Sequence, residues 1–314
     1  MELLRGLGGL RDRHRPCVAT IGAFDGVHLG HRAVVRQASE LAEGLAVPVT
    51  VVTFEPLPRE YLSGAAAPPR LQSFREKYEA FRDLGVDRLL CLRFNETLRN
   101  MSAEEFASEL FVKGLGVRAL VLGDDFRFGR DREGDAAFMR RLGKRQGFET
   151  QGMPTVLLDD ERVSSTRLRE ALSVGNFGLA ERLLGRPYSI GGRVMYGRQL
   201  GRELGAPTAN IGLRRQRLPF SGVFAVRVSG GGLAGAPAIA NVGTRPTIAS
   251  GQRANLEVHV LDGSPDLYGE RLDTEFSYKL RDEMRFASVD ELRERIHQDI
   301  AEARAFFNTH SNRT

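Results

Sequence analysis

Apolar positions follow two different patterns along the chain, and the change falls near Gly185-Arg186-Pro187. Before it, short β-branched runs alternate with segments of helical period. Residues 18–21, 47–54, 88–94 and 118–123 read as buried strands. Helices are predicted from Leu29, with Ala33, Val34, Ala38 and Leu41 as its stripe, over 73–84, and over 102–113, where Ser102 and Glu105 form a capping box. Two prolines at 56 and 58 end the second strand, and residues 63–69 predict a loop. Such alternation predicts a parallel sheet covered on both faces, with ligands at the carboxyl ends of its strands.

Beyond residue 186 the strands follow one another without helices, at 189–195, 208–212, 222–228, 237–242, 255–261 and 272–278. Their spacing predicts a small closed antiparallel barrel. A final helix starts after Ser288, with Glu291 completing its box and Leu292, Ile296, Ile300 and Ala303 as its stripe. The expected fold is therefore α/β with two domains, 1–185 and 186–314, and residues 187–314 have enough chain for a core of their own.

Composition changes this picture little. The chain has 314 residues, 41% hydrophobic and 27% charged, as in ordinary globular proteins. Net charge is +5 and the pI near 9.5, but the arginines are dispersed among acids. Small anionic molecules are thus the expected partners, not nucleic acid, whose binding would call for basic and aromatic residues interleaved on a platform. Cys17 and Cys91 supply neither a disulfide framework nor a metal quartet. No segment has signal-peptide or membrane-span length, so a cytoplasmic protein with no membrane partner is expected. Oligomeric state is left open.

Candidate chemistry lies at the turns. Phe24-Asp25-Gly26 turns the chain from the first strand into a helix that starts with His28 and His31, three residues apart and able to share a face. Unpaired N–H groups, the helix dipole and two imidazoles form a phosphate site, with Gly30 leaving room for the anion. In the loop 123–135, Asp125, Phe126 and Phe128 either anchor the loop or receive a flat ring. Arg167 and Arg169 sit in the first turn of a helix, against its dipole, which suits a phosphate chain at that end. Gly192, Gly197, Gly201 and Gly205 suggest a phosphate flap. Thr208 and Asn210, on alternate residues, could hold Mg²⁺ with phosphate oxygens. Glu257 and His259 share a strand face, and either could take a proton from a hydroxyl.

The string Gly22-Ala23-Phe24-Asp25-Gly26-Val27-His28-Leu29-Gly30-His31 resembles the nucleotidyltransferase signature of the bifunctional bacterial riboflavin kinase/FAD synthetases, with Ala23 where relatives often carry Asn. The loop at 123–129 and the Ser-Ser-Thr-x-x-Arg pattern, here Ser165, Thr166 and Arg169, resemble further segments of that family. Pro207-Thr208-Ala209-Asn210, Asn241 to Thr247 and Glu283 to Phe286 resemble its kinase half, so the likeness covers nearly the whole chain in the family's order. It implies a Rossmann-like adenylyltransferase domain followed by a riboflavin kinase barrel, with riboflavin, FMN and ATP as substrates, FMN and FAD as products, and Mg²⁺ as cofactor. It further implies that Gly22, Phe24, Asp25, Gly30, Ser165, Thr166 and Arg169 hold ATP phosphates, and that Asp125, Phe126 and Phe128 lie where flavin and nucleotide meet. His28 and His31 would serve adenylyl transfer. Glu257 would be the kinase base and His259 at most a support.

Overall fold

The computed structural model describes residues 1–196, 206–215, 217–247, 251–263 and 265–310. They divide into two compact units, one of Met1–Pro68 and Phe74–Ser164, the other of Pro69–Ser73 and Ser165–Thr314.

In the first unit the strands are β1 (Glu2–Arg5), β2 (Cys17–Ile21), β3 (Val49–Phe54), β4 (Arg88–Leu92), β5 (Val117–Gly123) and β6 (Glu149–Met153). They form one sheet ordered β1-β4-β3-β2-β5-β6, and every pairing is parallel. All five residues of β2 are buried. Cys17, Ala19 and Ile21 join one apolar cluster while Val18 joins the other, so both faces of the sheet are covered, as the continuous apolar runs predict. Helix α1 (Leu29–Gly44) buries Val35, Ala38 and Ala42, and α2 (Phe74–Asp83) buries Phe81, in the same cluster as Val18. The edge strands β1 and β6 were not expected. Their residues, Glu-Leu-Leu-Arg and Glu-Thr-Gln-Gly-Met, carry no β-branched apolar run, because an edge strand is paired on one side only.

In the second unit β7 (Ser189–Met195), β8 (Ala209–Gly212), β9 (Gly222–Gly230), β10 (Leu233–Thr247), β11 (Gly251–Val260) and β12 (Arg271–Arg281) close a barrel ordered β7-β8-β11-β10-β9-β12. Every pairing is antiparallel. The closing helix α5 (Val289–Thr309) is capped by Ser288. It is locked to β12 by the buried Asp299, which receives Nε and Nη2 of Arg281 and is paired with Arg295.

Two helices before the barrel belong to this unit, α3 (Ser165–Ser173) and α4 (Phe177–Leu184). Phe177 packs between Phe220, Phe224 and Phe276, with ring centroids 5.4, 5.6 and 5.7 Å away. The five-residue strap Pro69–Ser73 belongs here too, and hydrogen bonds to its carbonyls explain why. Arg169 Nε donates to Pro69 O at 2.8 Å, Tyr188 Oη to Leu71 O at 3.0 Å, and the buried Arg215 Nη1 to Leu71 O at 2.7 Å.

The compact units thus part at Ser164, about twenty residues before the change of hydrophobic period at 186. This has a measurable consequence. A fragment of residues 187–314 lacks Phe177, and removing a buried Phe costs about 3–5 kcal/mol. It should therefore unfold at distinctly lower urea than the fragment Ser165–Thr314, a difference that equal urea midpoints would refute.

Candidate functional site

The first constellation lies at the carboxyl end of β2. The turn that follows has three residues at positive φ, Phe24 at 48°, Gly26 at 100° and Val27 at 43°. For a β-branched valine this conformation is strained, at a cost of order 1–3 kcal/mol, so the surroundings must enforce it. Phe24 and Val27 are both buried in the core and anchor the turn. Phe24 meets Phe81 edge-on at 5.3 Å and His31 at 5.1 Å.

His28 is the N-cap of α1, and its Nδ1 accepts from the backbone N–H of His31 at 3.4 Å. That bond places the proton of a neutral His28 on Nε2. The two imidazoles stack, 3.6 Å apart and 16° from parallel, so the predicted shared face exists. A side chain at position 30 would meet the His28 ring at 3.2 Å, which makes Gly30 the seat of that ring. Gly22 likewise lies under the Phe24 ring, where a side chain would come within 3.2 Å. Asp25 is buried in the same turn.

His31 Nδ1 is buried and has no hydrogen-bond partner among the described residues. Its imidazole is held well below the ordinary histidine range, first by burial and then by the charges of His28, Lys77 and Arg162. It is thus neutral at physiological pH and able to donate one N–H. Arg162 was not singled out from the sequence, where nothing separates it from other surface arginines. It binds Asp125 through Nη2, while Thr155 donates to the neighbouring Asp124. Of the two loop aromatics, Phe128 is a core residue packed on Phe106, and the half-buried Phe126 stacks on it at 5.2 Å.

Ser165, Thr166 and Arg169 belong to the second unit, on α3. Ser165 opens the helix, Thr166 is exposed, and Arg169 Nη1 returns to Ser165 O at 3.2 Å besides its bond to the strap.

The second constellation lies on the barrel. Glu257 of β11 stands directly opposite Asn210 of β8 on one side and Asn241 of β10 on the other. Asn255 Nδ2 donates to Glu257 Oε1 at 2.9 Å. His259, two residues on, is buried, with Nδ1 2.9 Å from Pro207 O. Since a carbonyl only accepts, that nitrogen carries the proton, and His259 holds the chain immediately before Thr208. Gly192, grouped from the sequence with the flap glycines, sits instead in β7, where a side chain would strike Ile211 and Gly212 at 2.5 and 2.7 Å. It is a close-packing position of the barrel wall. Gly197, Gly201 and Gly205 lie outside the described residues.

No group of three or more His, Cys, Asp or Glu able to hold a metal occurs among the described residues. A hard cation would have to combine Thr208 and Asn210 oxygens with oxygens of a substrate.

Residues 10–167 match the FAD synthetase family and residues 184–307 the riboflavin kinase family. The chain is 52% identical over 305 residues to the bifunctional riboflavin kinase/FMN adenylyltransferase of Pseudomonas fluorescens, covering 97% of both chains. To the Escherichia coli K12 protein of the same name it is 46% identical over 308 residues, covering 98% of both. A crystal structure described as a macrolide-efflux protein from Streptococcus pneumoniae is similar throughout, with TM-score 0.82, 29% identity and coverage of 97% of this chain and 99% of that one. No helix among the described residues is long and apolar enough to cross a membrane.

Proposed function

The chain belongs to the bifunctional riboflavin kinase/FMN adenylyltransferase family, and from that premise we propose how its residues divide the two reactions. It phosphorylates riboflavin to FMN with ATP, then adenylylates FMN to FAD with release of pyrophosphate. The barrel carries the kinase step and the parallel-sheet unit the adenylyl transfer. The observation that supports this most directly is the pair of separate constellations, one carboxylate among asparagines and one stacked pair of imidazoles.

In the kinase step Glu257 accepts the proton of the ribityl 5′-hydroxyl as that oxygen attacks the γ-phosphorus of ATP. Asn255 holds one carboxylate oxygen in place. Thr208 and Asn210 offer two neutral oxygens on alternate residues beside that carboxylate, a donor set that fits Mg²⁺. When bound there, Mg²⁺ would offset the charge of the ATP phosphates. His259 fixes the backbone from which Thr208 projects.

In adenylyl transfer the FMN phosphate oxygen attacks the α-phosphorus of ATP, and the bond to the pyrophosphate oxygen breaks. No proton need move, because both nucleophile and leaving group are phosphate oxygens. The task is stabilisation of negative charge by oriented N–H donors. His28 Nε2–H, the N–H of neutral His31 and the first amides of α1 supply it. Gly22, Phe24, Asp25 and Gly30 shape that turn, and Asp125 with Phe126 lines the neighbouring loop. Ser165, Thr166 and Arg169 are further ATP-binding residues by likeness to the family pattern. The protein works on small molecules in the cytoplasm.

The fragment Ser165–Thr314 tests the division. It should convert riboflavin to FMN with Mg-ATP, resolved by chromatography, and make no FAD. A folded fragment without kinase activity that regains it when residues 1–164, which carry the strap, are added would mean that the chain from Ser165 onward does not carry the kinase step alone.

A further inference from the structure

Lys77 is one of the largest fully buried side chains of the protein, with 2% of its surface exposed. It stands on α2 between Phe74 and Phe81, at the helical spacing of a core position. An apolar side chain would fill that space without desolvating an ammonium group, so packing does not account for a lysine there. Its Nζ donates to Ala23 O at 2.6 Å and to Thr53 Oγ1 at 3.3 Å. Thr53, fully buried near the end of β3, itself donates to Ala23 O at 3.3 Å. Two donors from two elements therefore converge on one carbonyl.

That carbonyl belongs to the residue between Gly22 and the strained Phe24, at the entrance to the turn that leads to His28 and His31. We propose that Lys77 is a positioning residue for adenylyl transfer, its buried ammonium holding the Ala23 carbonyl and with it the turn that aims the two histidines. The contact is made to backbone, so it does not depend on which side chain occupies position 23. A charge-assisted hydrogen bond of this kind is stronger than a neutral one and suits a turn with unfavourable backbone angles.

The cation has a second effect. The charged or titratable groups whose fields reach His31 are His28 at the N-cap of α1, Lys77 on α2 and Arg162, which follows β6 in the chain, while Phe24 presents only its ring edge. Lys77 thus disfavours the imidazolium form of His31. Since the neutral form is the active one, activity is lost as pH falls through the His31 pKa. Removing the Lys77 charge raises that pKa and moves the acid limb to higher pH.

This inference rests on the reading that the first unit transfers the adenylyl group, and the test separates the two. Full-length Lys77→Met is assayed with FMN and ATP for FAD formation and with riboflavin and ATP for FMN formation. The turnover of FAD formation should fall about 10- to 100-fold, as misplacement of a reacting constellation does. The acid limb of its pH profile should move upward, and FMN formation should stay at the wild-type rate. FAD turnover within about twofold of wild type overturns the role of Lys77 alone, given that loss at the histidines is the expected change for that step. A fall without movement of the acid limb also overturns it, since a merely structural residue would act that way. Selective loss of FMN formation overturns it by overturning the division of labour. Where Lys77→Met does not fold, Thr53→Val decides. It removes one donor to Ala23 O and the hydroxyl that accepts from Lys77 Nζ, keeps the volume, and should slow FAD formation at least about threefold. An unchanged rate in that variant overturns the proposal.

Discussion

Glu257→Gln is expected to reduce FMN formation by about 10²- to 10⁴-fold, the usual range for loss of a general base. FAD formation from supplied FMN should continue at the wild-type rate. The substitution keeps the volume of the side chain and leaves an amide oxygen to accept from Asn255 Nδ2, 2.9 Å away in the wild type. The barrel pairings to Asn210 and Asn241 are backbone contacts and survive. The substitution removes the proton acceptor while keeping the shape of the side chain, so the defect should lie in turnover and leave the KM for riboflavin nearly unchanged. A kinase rate within about threefold of wild type would falsify the assignment, because loss of a base costs at least tenfold more. His259 would then be the next candidate, through Nε2, because its Nδ1 is engaged with Pro207 O.

Replacing both His28 and His31 with alanine should abolish measurable FAD formation. Each removed donor to a developing charge typically costs about 10²–10³ in rate, and the two stacked rings act on one site. The variant also loses the N-cap of α1, which costs about 0.5–2 kcal/mol, so a modest fall in Tm is expected as well. FMN formation in the same preparation should be unaffected, and circular dichroism with the measured Tm serves as the folding control for the first unit. Equal loss of both products from a folded protein would contradict the division of labour.

Much of this was legible in the sequence, for a physical reason. A strand buried on both faces must be apolar throughout, so β2, β3, β4 and β5 are plain from the sequence. A closed barrel alternates, so Leu256, Val258 and Val260 point inward and declare Glu257 and His259 as outward neighbours. The histidine pair was legible because three-residue spacing at a helix start leaves little choice of face. Lys77 was not. A lysine in a run with Arg75, Glu76 and Glu79 reads as part of a solvated face, although its spacing of three from Phe74 and four from Phe81 marks it as inward. The strap was hidden for another reason. Its ties are made by backbone carbonyls to Arg169, Tyr188 and Arg215, and a carbonyl has no signature in sequence.

The strap also bears on the order of events during synthesis. Residues 1–164 leave the ribosome first, carrying within them five residues whose partners have not been made. At about 5–20 residues per second, Arg215 is joined to the chain several seconds after Leu71. Until Tyr188 and Arg215 have both been made, the carbonyl of Leu71 lacks two of the donors that hold it in the finished protein. The final ordering of that segment is therefore coupled to completion of the barrel, and a nascent chain stalled before Tyr188 should be cut by protease at Pro69–Ser73 more readily than the finished protein.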